Sequence, residues 1–166
     1  VATLLFASGF GLFYVLMDMS KKSPRRVRVQ DREFRMPDMR FHYSADQLYQ
    51  AFEDVGTENL PRLRRYWLLD FGFIVCFWGV MLSIDLNIDG PATTLYVLMG
   101  IAATLRALFD VLENILLLRV YRAYPARRDK MAGFAGFVTS VKFLCLYGWV
   151  ALLFFKLFAR AFGIIH

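Results

Sequence analysis

Four side chains able to do chemistry fall within nine residues of an otherwise apolar stretch, "TLRALFDVLENILLLR": Arg106, Asp110, Glu113 and Asn114. Two carboxylates at i and i+3, with an amide one residue on and a guanidinium one turn before, have the types needed for several tasks. They can pass a proton, hold a cation, bind a lipid headgroup or lock helices together by ion pairs. Asp70 and Lys142 are the corresponding residues in two other apolar stretches. These six form a candidate intramembrane polar cluster. Three acids (Asp70, Asp110, Glu113) face two cations (Arg106, Lys142), a formal charge of −1. A charge at the centre of a bilayer costs about 2.5–3.5 kcal/mol on the insertion scale, so pairing, hydrogen bonding or protonation has to relieve most of that cost.

The elements that must position these residues are membrane spans. Hydrophobic residues make up 58% of the 166, and the mean hydropathy of +0.44 is too high for an ordinary soluble domain. A span needs about 20 mostly apolar residues, and four segments approach that length: 1–17, 66–84, 92–118 and 131–155. The first has no basic region before it and reads as a retained anchor. Gly90-Pro91 marks the turn between the second and third spans, and Pro125 the connection between the third and fourth. The fold class is therefore all-α: a polytopic membrane protein of four transmembrane helices forming a single bundle.

Basic residues concentrate in 19–65 and 119–130, whereas the connection after the second span carries only Asp85 and Asp89. The positive-inside rule places both basic segments in the cytoplasm and the N-terminus outside, as in a bacterial inner membrane or its equivalent. Lys156, Arg160 and His166, at the far end of the last span, run against that rule. Arg62, Arg64, Arg65, Arg119, Arg122, Arg127 and Arg128 then lie at the headgroup layer, a surface for anionic lipid. Positive-inside topology accounts for this charge without nucleic acid.

Residues 19–65 form an insert between the first two spans. "RRVRVQDREFRM" alternates with period two around "QDR" and reads as a short hairpin. "SADQLYQAFEDVG" opens with a capping box, Ser44 with Gln47, and puts Leu48, Phe52 and Val55 on one face before Gly56. This predicts an amphipathic helix lying on the membrane surface or the bundle. Asn59 and Pro61 mark the next helix start.

On a helical projection of the third span, Gly100, Ala103, Arg106, Ala107, Asp110, Glu113 and Asn114 fall within an arc of about 140°. Ile101, Leu105, Leu108, Leu112 and Leu116 fill the opposite side. Small residues allow close helix approach, so the polar face is expected to meet protein and the leucine face lipid. Lys142 shares its face with Thr139, Cys145 and Trp149. Cys76 and Cys145 lie far apart in apolar runs and read as buried small side chains.

No G-x-S-x-G, H-E-x-x-H or phosphate-loop pattern is present, His42 and His166 lie outside the spans, and no metal or cofactor motif exists. Two readings follow. In the first, the chain is a non-enzymatic accessory or scaffolding component, its charged network holding the bundle while it packs against lipid, a larger membrane partner or a second copy of itself. In the second, the Asp/Glu/Lys cluster binds a lipid headgroup, handles a proton or ion, or modifies a lipid.

"MPDMRFHYSADQLYQAFEDVG", "RLRRYWLLD", "FDVLEN" and "SVKFL", in that order, resemble a group of small, functionally uncharacterised four-span bacterial membrane proteins with a D-x-x-E-N motif in the third span. The likeness covers most of residues 36–145. It falls on Pro37, Asp38, Tyr43, Ser44, Asp70, Asp110, Glu113, Asn114 and Lys142. It implies the four-span fold and the polar cluster, and supplies no reaction.

Overall fold

A computed structural model describes residues 2–20, 22–29, 32–34, 36–89 and 94–162. The expected turn at Gly90-Pro91, the tip of the hairpin and His166 lie outside them. Five helices dominate: α1 (Ala2–Tyr14), α2 (Ala45–Val55), α3 (Leu60–Asp89), α4 (Thr94–Ala123) and α5 (Asp129–Ala161). Four of the helical stretches are long and apolar enough to cross a membrane: α1 with the turn that follows it, α3, α4 and α5. The only strands among the described residues are β1 (Arg28–Val29) and β2 (Arg32–Glu33), two residues each, paired antiparallel with Arg28 opposite Glu33.

The long helices overrun the apolar segments read from the sequence. At 1.5 Å per residue, the 30 residues of α3 span about 45 Å, against a hydrocarbon core of about 30 Å. Hydropathy marks the part apolar enough for a membrane, while the backbone hydrogen-bond ladder continues beyond it. Pro61 sits in the first turn of α3, where its missing N–H is not needed. At the other end, Asp85, expected in a connection, lies inside α3 and is fully buried.

The spanning helices pack in the order α1, α3, α4, α5, each on its neighbour, which leaves α1 and α5 at the ends of the row. Small residues set the first contact. A Cβ at Gly72 would overlap the ring of Phe13, one at Gly79 the ring of Phe6, and one at Gly9 the Cys76 sulfur. Aromatic knobs thus enter glycine holes, the close approach by which helices associate where lipid removes the hydrophobic drive. The Phe10 ring adds contacts to Phe73 and Phe77 at 4.8 and 5.5 Å between centroids. α1 is followed by a π-helical turn, Val15–Met19, a rare form often found at functional sites, which carries Met17 and Asp18.

α2 begins with the expected reciprocal cap: Gln47 N–H donates to Ser44 Oγ at 3.2 Å, and Ser44 N–H to Gln47 Oε1 at 2.9 Å. It ends at Gly56, whose φ of 76° favours glycine. Its apolar face (Leu48, Tyr49, Phe52, Val55) is buried in one apolar cluster with Trp67, Leu117 and Val120, the helix lies against α5, and the Phe52 ring is 6.2 Å from that of Trp67. The amphipathic helix therefore lies on the bundle. Here the structure corrects the projection of the third span. Ile101, Leu105 and Leu108 are exposed, but Leu116 is buried and Leu112 half-buried. The last turns of α4 belong to the buried apolar cluster that the insert, α3 and α5 share, so surface that periodicity alone assigns to lipid is enclosed by protein.

Candidate functional site

α4 turns Arg106, Asp110, Glu113 and Asn114 inward, all buried. Lys142 on α5 and Asp70 on α3 are buried opposite them. Lys142 Nζ donates to Glu113 Oε2 at 2.5 Å and to Asp110 Oδ1 at 2.9 Å. Arg106 Nη2 reaches Asp110 Oδ2 at 2.6 Å, an i,i+4 pair on one helix. Asn114 Nδ2 donates to Asp70 Oδ2 at 2.7 Å and ties α3 to α4. The six residues share one region, linked in two groups: Arg106, Asp110, Lys142 and Glu113 in one, Asp70 and Asn114 in the other.

Three further residues complete the network. Thr139 Oγ1 donates to Glu113 Oε1 at 2.5 Å, Tyr43 OH donates to the same oxygen at 3.3 Å, and the Asp38 carbonyl accepts from Lys142 Nζ at 3.2 Å. Residues 37–44 lie as a strap along α5. His42 Nδ1 is 3.1 Å from Ser140 Oγ, and the Tyr43 carbonyl sits where a Cβ on Gly136 would be. Glycine at 136 thus allows the insert to reach the network. Asp38 and Tyr43 stand out in the sequence only through the resemblance, because nothing in their local pattern shows that a strap carries them inward. Thr139 is visible as a neighbour on the Lys142 face.

Beside the network lies a cavity of about 310 Å³. Phe10 and Tyr14 of α1, Phe73 and Phe77 of α3, and Phe143 and Leu146 of α5 form its apolar walls. Asp18, Asp38, Asp70, Arg106, Asp110 and Lys142 supply its polar surface. The Arg106 guanidinium lies over the Phe77 ring at 4.4 Å. Among the described residues its Nε and Nη1 are buried without a hydrogen-bond partner, as are Asp38 Oδ1 and Asp18 Oδ1. Burial, reinforced by the charge of Glu113, pushes the Asp38 carboxyl well above the ordinary carboxylate range. Burial likewise raises the Tyr43 phenol, which stays a donor to Glu113.

A second polar contact lies nearer the other end of α3. Trp149 Nε1 on α5 donates to Asp85 Oδ2 at 3.2 Å, and Lys156, fully buried, is within electrostatic reach of Asp85. Asp85 and Lys156 read from the sequence as an exposed connection and a charge at the end of a span. Instead they face one another's helices, because a buried acid and a buried cation relieve each other's desolvation.

The arginines assigned to the headgroup layer differ in their surroundings. Arg119, Arg122 and Arg128 are exposed and line a shallow depression of about 290 Å³. Arg64 is exposed, Arg62 half-buried, and Arg65 Nη1 donates to Ser20 Oγ at 3.1 Å. Arg127 is held by protein: it pairs with Asp46 and with Asp129, lies over the Tyr49 ring at 4.6 Å, and its guanidinium is raised by the two carboxylate hydrogen bonds.

Fold and site together define, among the described residues, a mainly helical chain with four membrane-length helices, buried ion pairs and a cavity against them. Among protein-family models, curated proteins and solved structures, none matches the chain.

Proposed function

We propose that this is an integral membrane protein that binds the polar head of a lipid-like amphipath inside its helix bundle, without performing chemistry on it. The cavity of about 310 Å³ carries this reading: aromatic and aliphatic walls, a charged floor, and buried polar atoms still lacking partners. Ligand pockets run from about 300 to 1,000 Å³, mostly apolar with a few convergent polar groups. Leaving a buried polar group unsatisfied costs about 1–3 kcal/mol, a cost that a ligand's polar atoms at this wall would remove. The ion-pair network serves as the floor of the site, with Asp110 held by two polar contacts and Glu113 and Lys142 by three each.

A purely accessory or scaffolding role needs the network and makes no use of the cavity. Proton or ion handling and lipid modification need a reactive group or a path that the geometry does not single out. In the orientation given by the positive-inside rule, the insert is cytoplasmic and the cavity opens toward the cytoplasmic leaflet. Arg119, Arg122 and Arg128 then lie against anionic headgroups of that leaflet. The membrane is a bacterial inner membrane or its equivalent. The four-span bacterial proteins that the chain resembles would share this arrangement.

Purification in mild detergent followed by lipid extraction tests the reading. One lipid class should be enriched over the bulk membrane at near-stoichiometric level, and Leu146→Trp, which fills the cavity, should deplete it. Lipid-free protein, or an unchanged lipid complement in the variant, would contradict it. Recovery with a stoichiometric protein partner and no retained lipid would favour the scaffold instead.

A further inference from the structure

The cavity's unpaired groups specify the head it takes. Asp110 is matched by Arg106 and Lys142, and Asp18 by Arg25 at 2.9 Å. Asp38 and Asp70 form no ion pair among the described residues. Asp70 takes the neutral Asn114 amide, and Asp38 Oδ1, on a residue only 4% exposed, accepts no hydrogen bond from the described residues. With Asp38 ionised, the form an ammonium beside it requires, Asp38, Asp70, Asp110 and Glu113 stand against Arg106 and Lys142, a formal charge of −2. That is one unit more negative than the sequence cluster, because the strap brings Asp38 in. Carboxylates beside an apolar cavity favour a cation. Arg106, on the same cavity, offers Nε and Nη1, two buried donors without acceptors among the described residues. The site thus lacks a donor at one point and an acceptor at another.

Resting on the binding role proposed above, we infer that the cavity recognises a zwitterionic phospholipid head bearing a primary ammonium, of the ethanolamine type. The ammonium sits on Asp38, with Asp18 and Asp70 beside it, and a phosphate or ester oxygen accepts from Arg106. A quaternary ammonium matches the charge but has no N–H to give Asp38 Oδ1. An anionic head without an amine adds negative charge next to four carboxylates. Phe73, Phe77, Phe143 and Leu146 take the upper acyl chain, and the remainder lies in the bilayer.

Native mass spectrometry of the delipidated full chain, with equimolar phosphatidylethanolamine, phosphatidylcholine and phosphatidylglycerol of identical chains, tests this. The ethanolamine lipid should be retained about tenfold or more over each competitor, the discrimination that one charge-assisted hydrogen bond supports. Asp38→Asn should abolish that preference, since the link from Lys142 uses the Asp38 backbone carbonyl and survives the change. The competition on the parent protein decides even if the variant fails to fold. Equal retention of the choline lipid overturns the primary ammonium, and preference for the glycerol lipid overturns the sign of the head. Either result leaves cavity binding standing. Retention of no lipid, or equal retention in Leu146→Trp, removes the binding role itself.

Discussion

Lys142 Nζ lies 2.5 Å from Glu113 Oε2 and 2.9 Å from Asp110 Oδ1, so one ammonium on α5 holds two carboxylates three residues apart on α4. Removing one partner of a buried ionic group costs about 3–5 kcal/mol, because the other charges stay buried and unpaired. Lys142→Met should lower stability by that amount, measured by unfolding in detergent. Adding Glu113→Gln should restore part of it, since one of the stranded charges is then gone. A Lys142→Met protein as stable as the parent would show that the network does not hold the helices.

The strap depends on a missing side chain. Gly136→Val places a branched Cβ where the Tyr43 carbonyl lies. Overpacking of this kind costs about 1–3 kcal/mol, and it should lift residues 37–44 from α5. Limited proteolysis should then cut within that segment faster than in the parent. An unchanged cleavage rate would mean that the strap is not seated on Gly136.

Asp38 supplies a pH signature. Its carboxyl is raised above the ordinary 3.8 by burial and then by Glu113, so the folded, lipid-free protein favours the protonated form. The stability this contributes is complete below the unfolded-state value near 3.8 and is lost as pH rises through the folded value. Asp38→Asn should match the parent near pH 4 and become progressively more stable than it toward neutral pH. Thermal unfolding of delipidated protein across that range measures the gap. A gap independent of pH would contradict the assignment.

At the other end of the bundle, Trp149→Phe removes the donor to Asp85 and leaves both carboxylate oxygens of a buried group without a hydrogen bond among those identified. The expected loss is about 1–3 kcal/mol, read by the same unfolding assay. No loss would mean that Asp85 is solvated rather than buried.

Much of the fold is legible in the sequence because lipid is an unforgiving solvent. Runs of apolar residues long enough to cross it are hard to mistake, and a charge such as Asp110 within one has to face protein. The capping box at Ser44 and Gly56 is equally local and equally readable. Contacts between distant segments leave weaker traces. Asp38 and Tyr43 enter the network only because residues 37–44 are laid on Gly136, a placement no periodicity encodes. Leu116 has the spacing of a lipid-facing leucine, yet it is buried in the cluster that the insert, α3 and α5 share. Asp85 and Lys156 look like polar ends of spans, and only the helices' continuation past their apolar segments turns them inward. The cavity itself arises from the gap between α1 and α5, a matter of tertiary packing.

The most direct test is photo-crosslinking in vesicles with a phosphatidylethanolamine carrying a diazirine on an acyl carbon near the ester, followed by peptide mapping. Adducts should concentrate on Phe73, Phe77, Phe143 and Leu146, and fall away in Leu146→Trp. Adducts confined to outward-facing residues such as Leu4, Leu108 and Phe154, unchanged by that substitution, would contradict a lipid head held within the bundle.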